Sequence, residues 1–138
     1  MKKILRGSID YANLKCLPEK HERATASYFA DRGEDIAFIK PSFVKGSRSP
    51  DFIMHGRIWE TKSPIKYSKR SFEDNFKKAI KQSENIIFDL RRLKMNDEKK
   101  YLNELEKWSN SRGIKTLLII TKDGRLLTFK GKFVTIFL

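Results

Sequence analysis

The sequence predicts a mixed α/β domain, a β-sheet flanked by helices. Three observations lead there: helical spacing of apolar residues in two separate segments, two short apolar runs around a two-residue turn, and a nearly continuous apolar run, "IKTLLIIT". The chain has 138 residues, 39% of them hydrophobic and ten of them Phe, which is enough apolar material for one core. A single domain over residues 1–138 is the expectation, since neither a repeat nor a domain-splitting linker interrupts it.

From Pro18 to Gly33, Leu17, His21, Ala24 and Tyr28 recur at helical spacing, with Pro18 suited to a first turn and Gly33 to a stop. Ile36 to Lys40, "IAFIK", reads as a strand ended by Pro41, and "VKGSRSP" as a basic loop. "DFIM" and "RIWETK" flank His55-Gly56, the spacing of a two-residue hairpin turn. Beyond the basic linker "IKYSKR", Ser71 with Asp74 resembles a capping box. Phe72, Phe76, Ala79, Ile80, Ser83, Ile87 and Leu90 then trace the stripe of one long helix. Asn96 is expected to cap a further helix carrying Tyr101, Leu102, Leu105 and Trp108, ending at Gly113. "IKTLLIIT" suits a strand covered on both faces, "KDGR" turns it into "LLTF", and "FVTIFL" follows as a last strand.

Thirty Lys and Arg against seventeen Asp and Glu give a formal charge of +13, which suits a polyanionic partner. Nucleic acid fits better than an anionic membrane, because the aromatics are spaced for a core rather than for the lipid face of an amphipathic helix. No segment approaches the roughly 20 apolar residues of a membrane span, and no apolar run follows the basic start as in a signal peptide. Cys16 is the one cysteine, so neither an internal disulfide nor a cysteine zinc cluster can form.

The hairpin carries the candidate chemistry. A turn at His55-Gly56 pairs Met54 with Arg57, Ile53 with Ile58, Phe52 with Trp59 and Asp51 with Glu60. Two facing carboxylates repel unless a cation lies between them, and their oxygens suit Mg²⁺. Alternation puts Glu60 and Lys62 on one face, where an ammonium can meet charge developing on a phosphate. The plain alternative is a solvated strand face with a surface salt bridge, since Glu-x-Lys recurs at Glu98-Lys99-Lys100 on a helical surface.

With Pro50-Asp51, Glu60-Thr61-Lys62 and a preceding helix carrying Glu22, the chain resembles the PD-(D/E)XK nuclease superfamily, whose core is restriction-endonuclease-like. "HERATASYFADRGEDIAFI", "SPDFIMHGRIWETKSP" and "AIKQSENIIFDLRRLK" most resemble the nuclease toxin domains at the C-termini of contact-dependent growth inhibition proteins and related polymorphic toxins, many of which cut tRNA. The first helix also resembles that of Holliday junction resolvases.

The resemblance implies a phosphodiesterase with Asp51 and Glu60 as metal ligands, Lys62 assisting the attacking water, and Glu22 completing the site. Gln82 would help shape it. It further implies action in the cytoplasm of a target cell and an acidic immunity protein as partner. Lys66, Lys69, Arg70, Lys77, Lys78 and Lys81, with Gln82, are the expected nucleic-acid contacts, tRNA being favoured over DNA. A DNA endonuclease of the same fold and a non-catalytic basic binding module are the rival readings. RNA also offers a route through its own 2′-hydroxyl, with His21 or His55 as acid or base. Trp59 and Tyr67 could stack on bases, although Trp59 falls on the face opposite Glu60, where core packing is the simpler role.

Overall fold

A computed structural model describes residues 5–11, 17–40 and 50–133. Among the described residues, seven strands and three α-helices follow one another as β1 (Ile9–Asp10), α1 (Lys20–Ala30), β2 (Ile36–Phe38), β3 (Phe52–Met54), β4 (Arg57–Lys62), α2 (Lys69–Gln82), β5 (Asn85–Asp89), α3 (Glu98–Trp108), β6 (Thr116–Ile120) and β7 (Leu126–Lys130). The class is α/β with mixed strand pairing, as expected. Two compact units divide the described chain within β4: one runs to Trp59 and the other covers Glu60–Phe133.

In the first unit β1 pairs parallel with β2, β2 antiparallel with β3, and β3 antiparallel with β4. The hairpin register follows the His55-Gly56 turn over three of the four expected pairs, Met54↔Arg57, Ile53↔Ile58 and Phe52↔Trp59; the ladder ends there, and Asp51, expected opposite Glu60, donates its backbone N–H to the Trp59 carbonyl instead. His55 and Gly56 both take positive φ, 55° and 70°. That is the type I′ geometry whose twist matches the two strands, with histidine in a position more often given to asparagine. Helix α1 ends where Gly33, at φ 92°, turns the chain toward β2. Ala26, Phe29 and Ala30 from α1 are buried, as are Ile36, Phe38, Phe52, Met54 and Trp59 from the strands. Trp59 packs fully inside, and its indole Nε1 donates to the Met54 carbonyl at 2.9 Å. Core packing is therefore its role, and stacking on a base is not open to it.

In the second unit β5 pairs parallel with β6, and β6 antiparallel with β7. Phe72, Phe76 and Ala79 of α2 join Ile86, Phe88, Tyr101, Leu105, Leu117 and Ile119 in one apolar cluster. Phe76 stacks on Phe88 at 5.9 Å between ring centroids and meets Trp108 edge-on at 5.2 Å.

Three expectations are corrected here. The long helix stops at Gln82: Ser83 is extended (φ −159°, ψ 155°), and Asn85–Asp89 is a strand with all five residues buried. Ile87 and Leu90 continued the helical stripe only by coincidence of spacing. A helix has one apolar face, whereas Ile86, Ile87 and Phe88 in succession need cover on both sides, as a central strand provides. The α2 cap is Ser68, whose Oγ accepts from the Ser71 N–H at 3.1 Å, so Lys69 and Arg70 belong to the helix and not to the linker. Asn96 lies in a 3₁₀ turn, Met95–Asp97, and Asp97 occupies the α3 N-cap position. The Asp97 carboxylate accepts from the Tyr67 N–H at 2.9 Å, not from the helix it precedes. Strand β1 was not expected, its two residues being too few for any periodicity. The basic loop at 44–49 and residues 134–138 of the expected last strand lie outside the described residues.

Candidate active site

Glu22 sits in the first turn of α1. Its carboxyl is half-buried and hydrogen-bonded to that of Asp51, which precedes β3. Burial, then the negative charge of Asp51 and that of Glu19, push the Glu22 pKa up from 4.5 to about 7. Asp51 is held at the base of the hairpin by its backbone, which donates to the Trp59 carbonyl at 2.9 Å and accepts from the Ile39 N–H at 3.0 Å.

His21 and Glu19 extend this acidic end of α1. The His21 Nδ1 lies 3.4 Å from Glu19 Oε2, and Glu19, His21 and Glu22 each offer a ligand atom within 4.8 Å of the others. His21 is thus beside the candidate site. Glu19 was not among the expected site residues, although the Glu-x-His-Glu spacing at a helix start was available to find it.

Glu60 and Lys62 follow Trp59 along β4. Alternation places them on one face, and Lys62 Nζ lies 3.2 Å from Glu60 Oε2. The solvated-face reading fails for Glu60, whose side chain is 4% exposed, with Lys62 at 22%. A carboxylate buried to that degree needs cationic or hydrogen-bonding company, and the ammonium two residues on supplies some of it.

The expected nucleic-acid contacts lie in the second unit. Lys66 is exposed before α2, and Lys69, Arg70, Lys77, Lys78 and Lys81 are exposed along it. Gln82 is the last residue of α2, and its Oε1 is buried without a hydrogen-bond partner among the described residues. Tyr67 is half-buried against Tyr101, at 6.0 Å between ring centroids. His55 stands apart at the hairpin tip, its Nδ1 3.3 Å from Glu34 Oε2.

Crowded carboxyl groups, one of them with its pKa raised, and a set of exposed lysines on α2 thus stand on an α/β frame. The chain belongs to the contact-dependent growth inhibition CdiA C-terminal domain family, which matches residues 48–126. No curated protein matches it. Among solved structures it is similar to a CdiA-CT/CdiI toxin and immunity complex from Burkholderia pseudomallei, with a TM-score of 0.64 and 18% identity over 90% of this chain and 99% of that one. At that identity the likeness is one of fold. No described helix is long and apolar enough to cross a membrane.

Proposed function

We propose that the chain is a toxin domain that hydrolyses phosphodiester bonds in a metal-dependent reaction, with tRNA as its favoured substrate. The reading rests above all on Glu22, a half-buried carboxyl sharing a hydrogen bond with Asp51 and raised to about 7. Two carboxyl groups forced together in this way are stabilised when a cation replaces the proton between them. The donors fit Mg²⁺, which prefers carboxylate oxygens: Asp51 would hold it, with Glu22 as a further ligand or an anchor for water, and Glu60 is the second ligand that the resemblance implies. When bound, the ion would offset negative charge gathering on the scissile phosphate.

The chain's own residues do the rest. Lys62, oriented by Glu60, would place its ammonium where the attacking water and the developing charge meet. Lys69 and Arg70 stand in the first turn of α2, where the helix dipole is already positive. Cations there oppose the dipole and are favoured only with a polyanion near, so a phosphate backbone along Lys69, Arg70, Lys77, Lys78 and Lys81 relieves the conflict. An immunity protein as partner is suggested by the complex that the fold resembles, and the formal charge of +13 suits an acidic one. Action would follow delivery into the cytoplasm of a target cell.

The test is digestion of total tRNA, ribosomal RNA and plasmid DNA, each with Mg²⁺ and with EDTA, by wild type and Asp51→Ala. Cleavage of tRNA lost in EDTA and in the variant is the expected result. Cleavage of plasmid alone moves the substrate to DNA. Cleavage that survives EDTA replaces the metal route with 2′-hydroxyl attack, for which His21, beside Glu19 and Glu22, would be the acid or base. No cleavage of any substrate leaves a binding module.

A further inference from the structure

The first unit holds a cavity of about 490 Å³ beside the hairpin tip, lined among others by Asp10, Glu34, Asp35, Ala37, Ile53 and His55. Its electrostatic sign is opposite to that of the chain. Three carboxylates line it and no lysine or arginine does among the described residues, in a protein of formal charge +13. Asp35 is ionised in place: its Oδ1 accepts from the Ser8 N–H at 2.8 Å and the Ser8 hydroxyl at 3.1 Å, and these bonds lower its pKa. Glu34 is the group that asks for a ligand. Its side chain is 4% exposed, one oxygen faces His55, and the other, Oε1, is buried without a hydrogen-bond partner among the described residues. A buried carboxylate oxygen without a donor is costly, and a donor carrying positive charge is what offsets that cost.

We propose that this cavity binds an organic cation, a primary ammonium or guanidinium group whose N–H donors reach Glu34, with Asp10 and Asp35 at the rim. Three alternatives fit less well. A metal ion wants three or more ligand atoms together, and these four side chains do not bring three within 4.8 Å. A nucleotide phosphate would meet three negative charges. An uncharged apolar ligand would leave Glu34 as it is. The volume is in the range that takes small organic ligands, and Ile53 and Ala37 supply apolar wall for an aliphatic stem. His55 lies at the mouth on a turn of positive φ, so the hairpin tip fixes it over Glu34. The chemistry is shared by free polyamines and by lysine or arginine side chains of another protein.

The experiment is a ¹H–¹⁵N NMR titration of the whole chain with spermidine and, separately, with the capped tripeptides acetyl-Gly-Arg-Gly-amide and acetyl-Gly-Lys-Gly-amide, against matched additions of NaCl. Saturable shifts at Gly33, Glu34, His55 and Gly56 are expected with at least one probe. Spermidine alone would identify a polyamine, and a tripeptide alone a protein side chain. Glu34→Gln should weaken binding about tenfold or more, the loss of one charge-assisted hydrogen bond. If that variant does not fold, Asp10→Asn at the exposed rim should weaken it by a smaller factor. Shifts that merely follow NaCl, or binding that both variants leave unchanged, would overturn the assignment.

Discussion

Replacing Glu22 by Gln isolates the most perturbed carboxyl of the candidate site. Gln keeps the shape and cannot ionise, so the difference between wild type and variant reports Glu22 together with the Asp51 carboxyl that shares its hydrogen bond, and titrating groups away from this pair cancel. Burial and the neighbouring charges of Asp51 and Glu19 raise Glu22 from 4.5 to about 7. A raised acid binds its proton more tightly in the folded state. Its contribution to stability is therefore complete below about pH 4.5 and is lost as pH rises through about 7. The displacement sets a ceiling near 3 kcal/mol at about 1.4 kcal/mol per pKa unit. The group is half exposed, so solvent screening brings the expected effect to the order of 1 kcal/mol. In EDTA, wild type should lose that much relative to Glu22→Gln between pH 5 and pH 8, a shift of about 4 °C in relative Tm for a chain of this size. Urea unfolding at each pH, read by tryptophan fluorescence, measures it. Curves that stay parallel across this range would mean that Glu22 does not titrate there, and that no proton is held for a cation to displace.

The same proton should compete with Mg²⁺, so apparent affinity in wild type should fall up to about tenfold per pH unit below pH 7, as calorimetric titration would record. Lys62→Met, which keeps the aliphatic stem, should cut cleavage by about 100-fold or more with the fold retained by circular dichroism. Lys69→Glu with Lys77→Glu should weaken nucleic-acid binding and flatten the slope of log affinity against log salt, by about 0.9 for each duplex phosphate that is no longer neutralised. Phe76→Ala, emptying a site against Phe72, Phe88 and Trp108, should cost about 3–5 kcal/mol in urea unfolding.

The hairpin was legible because three independent signals coincide there: the two-residue turn, the apolar pairs on either side and the breakers that bound it. β4 accordingly begins at Arg57 and ends at Lys62, as its sequence suggests. The second half of the expected long helix was not legible by spacing. Phe76, Ala79, Ile80, Ile87 and Leu90 satisfy a helical period across the Ser83 break. Only tertiary context, with β6 beside Asn85–Asp89 residue for residue, decides for strand. Ser68 and Asp97 were missed for a related reason. Each segment offers several residues able to take the N-cap position, and which one takes it depends on where the backbone leaves its preceding turn.

The candidate site shows the same division between what local pattern carries and what only folding creates. Glu60 and Lys62 are two residues apart, and strand alternation alone is enough to bring them together, 3.2 Å apart. Glu22 and Asp51 are twenty-nine residues apart, and their contact depends on how α1 lies against the base of the hairpin. No periodicity carries that information; the resemblance to a nuclease family supplied it. The acidic cavity had neither route open to it. Asp10, Glu34 and Asp35 look in sequence like ordinary surface acids in a basic chain, and His55 like a turn residue. Their sign becomes informative only once β1, the α1–β2 connection and the hairpin tip gather them around one space with no lysine among its described lining. A chain of thirty cations, none of which lines that cavity among the described residues, has separated its charges by location, and the separation is a stronger argument for a cationic ligand than the net charge is against it.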